Sequence, residues 1–135
     1  SRVTGVAVTE CEVVTEAGLR GAAEALLALG VSTWVVVHWP GGAVGLSRSG
    51  EWVVKPAVAL GREQIVITTG AGDAFASGVI HSAWAGRSLE VALETGIGAA
   101  ACSLLAGNST DGIRTHSEAR RFYRESPHGR PWGMA

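Results

Sequence analysis

Apolar residues along this chain fall into two patterns, short continuous runs and longer runs at helical spacing. Between residues 16 and 29 they recur every three or four positions, and Gly30 follows. This spacing predicts a helix that ends at Gly30. Residues 33–37 then form a continuous β-branched and aromatic run, which predicts a strand buried on both faces. Because a helix that leads into such a strand is half of a parallel βαβ unit, we expect a mostly parallel sheet.

Turn residues separate the apolar segments that follow. Pro40-Gly41-Gly42 turns the chain, and residues 43–47 and 51–55 flank Arg48-Ser49-Gly50. This arrangement predicts a β-hairpin. Two further short strands are predicted at residues 5–8 and 64–67. A mostly apolar helix is predicted at 74–84, and a closely packed Ala- and Gly-rich helix from 89 to about 105 with Ser88 as its N-cap. A polar surface helix at 115–124 and a frayed end complete the prediction.

These elements predict an α/β fold in which helices flank a mostly parallel sheet that carries a β-hairpin. The length of 135 residues suits one domain, and 47% hydrophobic against 17% charged residues excludes a disordered chain.

Charge and cysteine usage exclude several classes of function. With 11 Lys and Arg against 12 Asp and Glu, the chain has no electrostatic footprint for nucleic acid. No apolar stretch approaches about 18 residues and no signal peptide is evident, so we expect a soluble, cytoplasmic protein without membrane contact. Cys11 and Cys102 are far apart in sequence, and the four histidines lack ligand spacing, which argues against a disulfide framework or a zinc site.

The most informative segment is IVITTGAGDAFASG, residues 65–78, which places a Gly-rich loop between a predicted strand and an apolar helix. Backbone N–H groups of Gly70, Ala71 and Gly72 would be unpaired at the start of that helix. The partial positive charge there favours an anion, and glycine lets the backbone approach phosphate oxygens.

Asp73 would lie at the mouth of the same anion site, and its carboxylate has two interpretations. As a helix cap it would accept a backbone N–H. As a general base it would accept the proton of a substrate hydroxyl, while the amides stabilise a phosphoryl group in transfer. The residues alone leave both open.

The string TTGAGDAFASG resembles the second signature of the ribokinase, or PfkB-type, carbohydrate kinase family, D-T-x-G-A-G-D followed by an apolar helix. Residues 35–46 and 88–101 agree with that family in order and spacing, and residues 9–12 resemble its N-x-x-E segment. The resemblance covers about residues 5–112 and corresponds to the C-terminal half only. It implies a ribokinase-like fold that is incomplete, with residues 1–112 as a nucleotide- and phosphate-binding half and residues 113–135 as a surface helix and tail.

The same resemblance implies roles for individual residues. Asp73 would be the catalytic base, and Gly70, Ala71 and Gly72 the anion hole for the γ-phosphate of ATP. Gly42 would lie beside the nucleotide, Ala99 to Cys102 would form part of an adenine-side wall, and Glu12 would act through water on Mg²⁺. From the residues alone, Glu12 is equally explained as a loop acid, Gly42 as a turn glycine and the Ala-rich helix as a packing device.

Four positions depart from the family pattern. Ile67 replaces the Asp associated with a monovalent-cation site, and Thr9 replaces the Asn of N-x-x-E. Trp39 stands where a glycine leaves room for nucleotide, and Gly98 stands where an Asn often lies near the purine. Phosphate binding and the base are retained better than nucleotide and cation recognition.

The function that the resemblance implies is ATP-dependent phosphoryl transfer to a hydroxyl of a small sugar or sugar-like substrate, as part of a complete kinase. The alternative is a non-catalytic, degenerate kinase half that binds a phosphate-bearing ligand or a protein partner. In either case we expect self-association or a complementary N-terminal half, because a truncated sheet would expose an edge and an apolar face.

Overall fold

A computed structural model describes residues 9–10, 13–108 and 111–132. Its elements, in chain order, are β1 (Thr9–Glu10), β2 (Val13–Val14), α1 (Glu16–Ala28), β3 (Trp34–Trp39), β4 (Gly42–Ser47), β5 (Trp52–Pro56), a 3₁₀ helix (Arg62–Gln64), α2 (Ala71–Trp84), α3 (Leu89–Leu104) and α4 (His116–Glu125). The strand expected at residues 5–8 lies outside the described residues, as do Cys11 and Glu12.

Helix α1 forms as the apolar spacing predicts. The Thr15 side chain accepts a hydrogen bond from the amide of Gly18 at 3.1 Å and caps the helix. Leu19, Ala22, Ala23 and Leu27 are buried, and the chain leaves the helix through Gly30, whose φ is 114°. Ala23 and Leu27 pack in one cluster with Val35 of β3 and Leu46 of β4, so α1 covers one face of the hairpin strands.

Strands β3, β4 and β5 form one antiparallel sheet in that order. The prediction of a mostly parallel sheet is therefore wrong for the described strands. The physical reason is the turn: Trp39 pairs with Gly42, so only Pro40 and Gly41 link β3 to β4, and so short a connection permits antiparallel pairing alone. The predicted hairpin around Arg48-Ser49-Gly50 is confirmed.

Burial along the sheet also differs from the expectation. In β3 only Val35 is fully buried, whereas every residue of β4 is buried. The central position of β4 between two strands accounts for this difference. The run at residues 33–37 is thus a strand, as predicted, but not one buried on both faces along its length.

The strand predicted at residues 64–67 is wrong. A 3₁₀ turn over Arg62–Gln64 occupies its start, and the side chain of Gln64 accepts a hydrogen bond from the amide of Gly61 at 2.8 Å. Beyond it, the amide of Val66 donates to the carbonyl oxygen of Leu104 at 2.9 Å. These contacts hold the segment as irregular chain that runs from the sheet to α2.

Helix α3 lies at the centre of the helical layer and is buried along most of its length. Ser88 caps it through the amide of Val91, as predicted. A Cβ on Gly78 of α2 would lie 2.8 Å from the Cα of Gly96, and one on Gly98 would overlap the carbonyl oxygen of Ala119 in α4. The small residues therefore let both neighbouring helices approach α3 closely, which confirms the predicted close packing.

The C-terminal segment packs back onto the sheet. His128 bridges to Val58, the amide of Ala59 donates to the carbonyl oxygen of Pro127 at 2.8 Å, and the rings of Trp132 and Trp39 stack with centroids 5.2 Å apart. The expectation of a frayed tail is thus wrong for residues 127–132, because strand-like pairing and ring stacking hold them. Within the described residues, no helix is long and apolar enough to cross a membrane.

Candidate functional site

The site is built around the first turn of α2. Gly70 precedes the helix with φ 89° and ψ −6°, a left-handed conformation that glycine adopts without steric cost. The amide of Ala74 donates to the carbonyl oxygen of Gly70 at 2.9 Å, which starts the helical hydrogen bonding. The amide of Ala71, which we expected to be unpaired, donates to the carbonyl oxygen of Thr68 at 3.4 Å. Among the described residues, the amides of Gly72 and Asp73 have no acceptor one turn earlier. The loop therefore presents free N–H groups at the positive end of the helix dipole.

Asp73 is the third residue of α2 and its side chain is exposed. The N-cap residue is Gly70, which has no side chain to accept a hydrogen bond. Because Asp73 lies inside the helix rather than at the N-cap position, it is not the N-cap residue, and its exposed carboxylate is accessible to a ligand.

A cavity of about 340 Å³ lies on the Asp73 side of this turn. Ser103 of α3 contributes a hydroxyl that is almost fully buried and has no hydrogen-bond partner among the described residues. Because a buried hydroxyl without a partner is costly, a polar ligand group in this cavity would satisfy it. The cavity is lined by Gly70, Asp73, Ser77, Ala99, Ser103 and Arg114, among others.

A second cavity, of about 450 Å³, lies on the Gly72 side of the turn, and none of its lining residues is Asp, Glu, Lys or Arg; we call it the apolar cavity. A Cβ built on Gly72 would meet no atom within 4 Å, so the space beside this backbone is open. Its walls come from the β3–β4 turn, the loop before α2 and one face of α3, and include Trp39, Ala71, Gly72, Ala100, Ala101 and Leu104. The start of α2 thus lies between two cavities, of which the one at Asp73 is lined by charged residues and the one at Gly72 is not.

Two of the predicted nucleotide residues lie elsewhere. Gly42 is buried in the hairpin, where a Cβ would overlap the carbonyl oxygen of Lys55, and it lines neither cavity. Cys102 faces α4 beside Glu118 and Phe122, and burial raises the pKa of its thiol. Of the predicted wall, Ala99 lines the Asp73 cavity rather than the apolar one.

Sequence reasoning missed Ser103 and Arg114 as neighbours of Asp73. No local motif signals them, because Arg114 reaches the cavity only through the turn between α3 and α4. Trp39, which departs from the family pattern, lines the apolar cavity, and its ring stacks with that of Trp132.

The residues present fit a phosphate group better than a metal ion. Free amides and open space at Gly72 suit phosphate oxygens. In residues 9–10, 13–108 and 111–132, no group of three or more His, Cys, Asp or Glu side chains could hold a metal. Glu12, the predicted contact to Mg²⁺, lies outside the described residues.

The family model described as pfkB family carbohydrate kinase matches residues 4–116. No curated protein sequence matches the chain.

Similar solved structures include ribokinase from Thermotoga maritima, with 28% identity and a TM-score of 0.63 over 77% of this chain and 34% of that one. Arabidopsis thaliana ribokinase complexed with ribose and ATP has 21% identity and a TM-score of 0.68 over 83% and 35%. Escherichia coli phosphofructokinase-2 in complex with potassium has 21% identity and a TM-score of 0.68 over 87% and 35%. The chain spans about a third of the length of these kinases, and the predicted ribokinase-like α/β fold, partial relative to the family, is confirmed.

Proposed function

Because the chain belongs to the pfkB family of carbohydrate kinases, we propose that it supplies the base and the phosphate-binding turn of an ATP-dependent kinase. The acceptor is a hydroxyl of a small sugar or sugar-like substrate. One observation carries this proposal: the start of α2 separates a cavity lined by the charged residues Asp73 and Arg114 from a cavity at Gly72 whose lining residues include no Asp, Glu, Lys or Arg. A phosphoryl group that passes from one cavity to the other would pass the free amides of the turn.

The Asp73 side is the acceptor side in this proposal. The exposed carboxylate takes the proton of the substrate hydroxyl as that oxygen attacks, which is general base catalysis. Arg114 and the unpartnered hydroxyl of Ser103 line the same cavity and orient the acceptor. Orientation of this kind lowers the barrier by fixing the reacting groups in place.

The Gly72 side is the donor side. ATP, when bound, supplies the phosphoryl group. The amides of Gly72 and Asp73 stabilise its oxygens at the positive end of α2, and such electrostatic stabilisation is the main contribution of protein groups to phosphoryl transfer. Ala100, Ala101 and Trp39 provide apolar walls for the base of the nucleotide.

Two of the similar kinase structures contain a nucleotide or a monovalent cation. Arabidopsis ribokinase was solved with ribose and ATP, and phosphofructokinase-2 with potassium. In this chain Ile67 offers no carboxylate to a monovalent cation, so we propose a kinase without that site in its usual form. Three expectations stay predictions: use of Mg²⁺ as a cofactor, a cytoplasmic location, and a complementary N-terminal half.

The test is transfer of phosphate from ATP to a panel of sugars by the full natural protein and by Asp73→Asn. We expect Asp73→Asn to lose about a hundredfold or more in turnover, because an amide cannot accept the proton. Nucleotide affinity should change little, since the amides of the turn remain. Asp111→Asn is the matched control, because Asp111 is also exposed but lines neither cavity.

The outcomes separate the two candidate functions. Turnover of Asp73→Asn within severalfold of the parent protein excludes Asp73 as the base. Nucleotide binding without any transfer by the parent protein supports the alternative, a non-catalytic kinase half that binds a phosphate-bearing ligand.

A further inference from the structure

A further cavity, of about 470 Å³, lies between the end of α2, the first half of α3 and the outer face of α4. His116 lines both this cavity and the Asp73 cavity, so the two cavities adjoin at that side chain. Four arginines line it: Arg87 after α2, and Arg120, Arg121 and Arg124 on α4. We call it the arginine cavity.

This concentration of positive charge is unusual for the chain. The whole sequence has 11 Lys and Arg and a net charge of −1, yet four of these cations line one cavity. Glu125 is the carboxylate among the lining residues. The local excess of positive charge therefore does not reflect the composition.

Only Arg120 of the four is used in an ion pair within the described part of the chain. Its Nε donates to Oε1 of the buried Glu94 at 3.0 Å, and Glu94 also lies 3.4 Å from Nζ of Lys55. Arg87, Arg121 and Arg124 have no carboxylate within 4.0 Å among those residues. Three guanidinium groups thus face the cavity without a bound counter-charge.

Such an arrangement does not help folding. Like charges one turn apart on a helix, as at Arg121 and Arg124, disfavour it, and guanidinium groups that converge on one space repel one another. An anion removes that repulsion. The planar guanidinium suits phosphate in particular, because two parallel N–H groups meet two oxygens of one phosphate.

The remaining polar groups around the cavity can also donate to an anion. Ser117 lies in the first turn of α4 and lines the cavity. His81 and His116 stack with ring centroids 3.7 Å apart and an interplanar angle of 5°. Burial lowers the pKa of His116, and the adjacent His81 lowers it further. A neutral imidazole still donates one N–H to an oxyanion.

From this geometry we propose that the arginine cavity binds a small anion that carries two or more phosphate groups. Three unpaired guanidinium groups match more charge than a single phosphate provides. The volume lies within the range of small-molecule sites, and the concave shape favours a compact ligand over a nucleic acid strand. The site is separate from the apolar cavity beside Gly72, so it does not depend on the proposed kinase function.

The test uses the full natural protein and inorganic pyrophosphate as the probe, with affinity measured by calorimetry. We expect Arg121→Gln and Arg87→Gln, on different elements, each to weaken binding about tenfold or more, because each removes a charged hydrogen-bond donor. Circular dichroism verifies that each variant is folded. Arg62→Gln is the matched control, since Arg62 is exposed on the 3₁₀ helix and lines none of these cavities.

Amide NMR shifts locate the probe. Perturbation at Arg87 and Ser117 supports the proposal, whereas perturbation confined to Gly70 and Gly72 overturns it. Equal affinity for pyrophosphate and inorganic phosphate, an equal loss in Arg62→Gln, or binding of RNA but not of pyrophosphate would each also overturn it.

Discussion

Gly72 and Asp73 are adjacent in sequence but serve opposite sides of the same helix start. Asp73 lines the cavity that also contains Arg114, and Gly72 lines the apolar cavity. Since the α2 backbone fixes both, neither cavity can shift relative to the other without moving the first turn. In the proposed reaction, the same turn would therefore fix the position of the base at Asp73 relative to the phosphate-binding amides.

We predict that Gly72→Val weakens nucleotide binding about tenfold or more. The β-branched side chain would fill the open space beside the free amides and keep phosphate oxygens from them. Affinity for ATP, measured by calorimetry on the full natural protein, tests this. Gly107→Val is the control, because a Cβ there also meets no atom within 4 Å but lies after α3. An unchanged affinity in Gly72→Val contradicts the anion-hole role.

Tyr123 gives a prediction about alkaline pH. Burial raises its pKa to about 12, with a further contribution from the charge of Glu94, and its hydroxyl donates to the carbonyl oxygen of Pro56 at 3.1 Å. The folded state therefore holds the phenolic proton more tightly than the unfolded state, whose pKa is about 10. Stability from this group is fully present below pH 10 and is lost as the pH rises toward 12.

The variant Tyr123→Phe tests that linkage. We expect it to lower the free energy of unfolding by about 1 kcal/mol near neutral pH, because the hydrogen bond is lost. It should also flatten the decline in stability between pH 10 and 12. Urea unfolding across this range measures both effects. An equally steep decline in the variant would show that Tyr123 is not its source.

At the scale of elements, the sequence predicts helices better than the pairing of strands. The apolar spacing predicts α1, and Ser88 predicts the start of α3; both are local features. The antiparallel pairing of β3 with β4 depends instead on the two-residue turn between them. Residues 64–67 do not form a strand because the amide of Val66 donates to Leu104 of α3 and those of Gln64 and Ile65 donate within a local turn. The Asp73 cavity was predicted only in part, since Arg114 and Ser103 reach it through tertiary packing.

The contact between α3 and α4 gives the next prediction. We expect Gly98→Ala to destabilise the fold by about 1–3 kcal/mol, because its Cβ would overlap the carbonyl oxygen of Ala119 in α4. Helix propensity alone would favour alanine over glycine. Gly72→Ala is the control for stability, since that helical position is open. Unfolding by urea compares the two, and a Gly98→Ala protein as stable as the parent would contradict this packing.

At the scale of the whole molecule, α2 exposes an apolar stripe. Ile80 and Trp84, one turn apart, are 67% and 91% exposed, and Ala76 precedes them on the same face. Single exposed apolar residues are ordinary, but a continuous stripe on a helix normally packs against another element. The chain spans about a third of the kinases that it resembles in structure, so the rest of such a kinase is a natural cover for this stripe.

We therefore predict that residues 1–135 alone are inactive and self-associate, or require a partner chain that covers α2. Light scattering coupled to size exclusion should give a mass above 13.9 kDa, and Trp84→Lys should reduce the association because it places a charge in the stripe. Ile113→Lys is the matched control, since Ile113 is 71% exposed but lies outside α2. A stable monomer that unfolds sharply and binds no hydrophobic dye would show instead that the exposed face of α2 needs no cover.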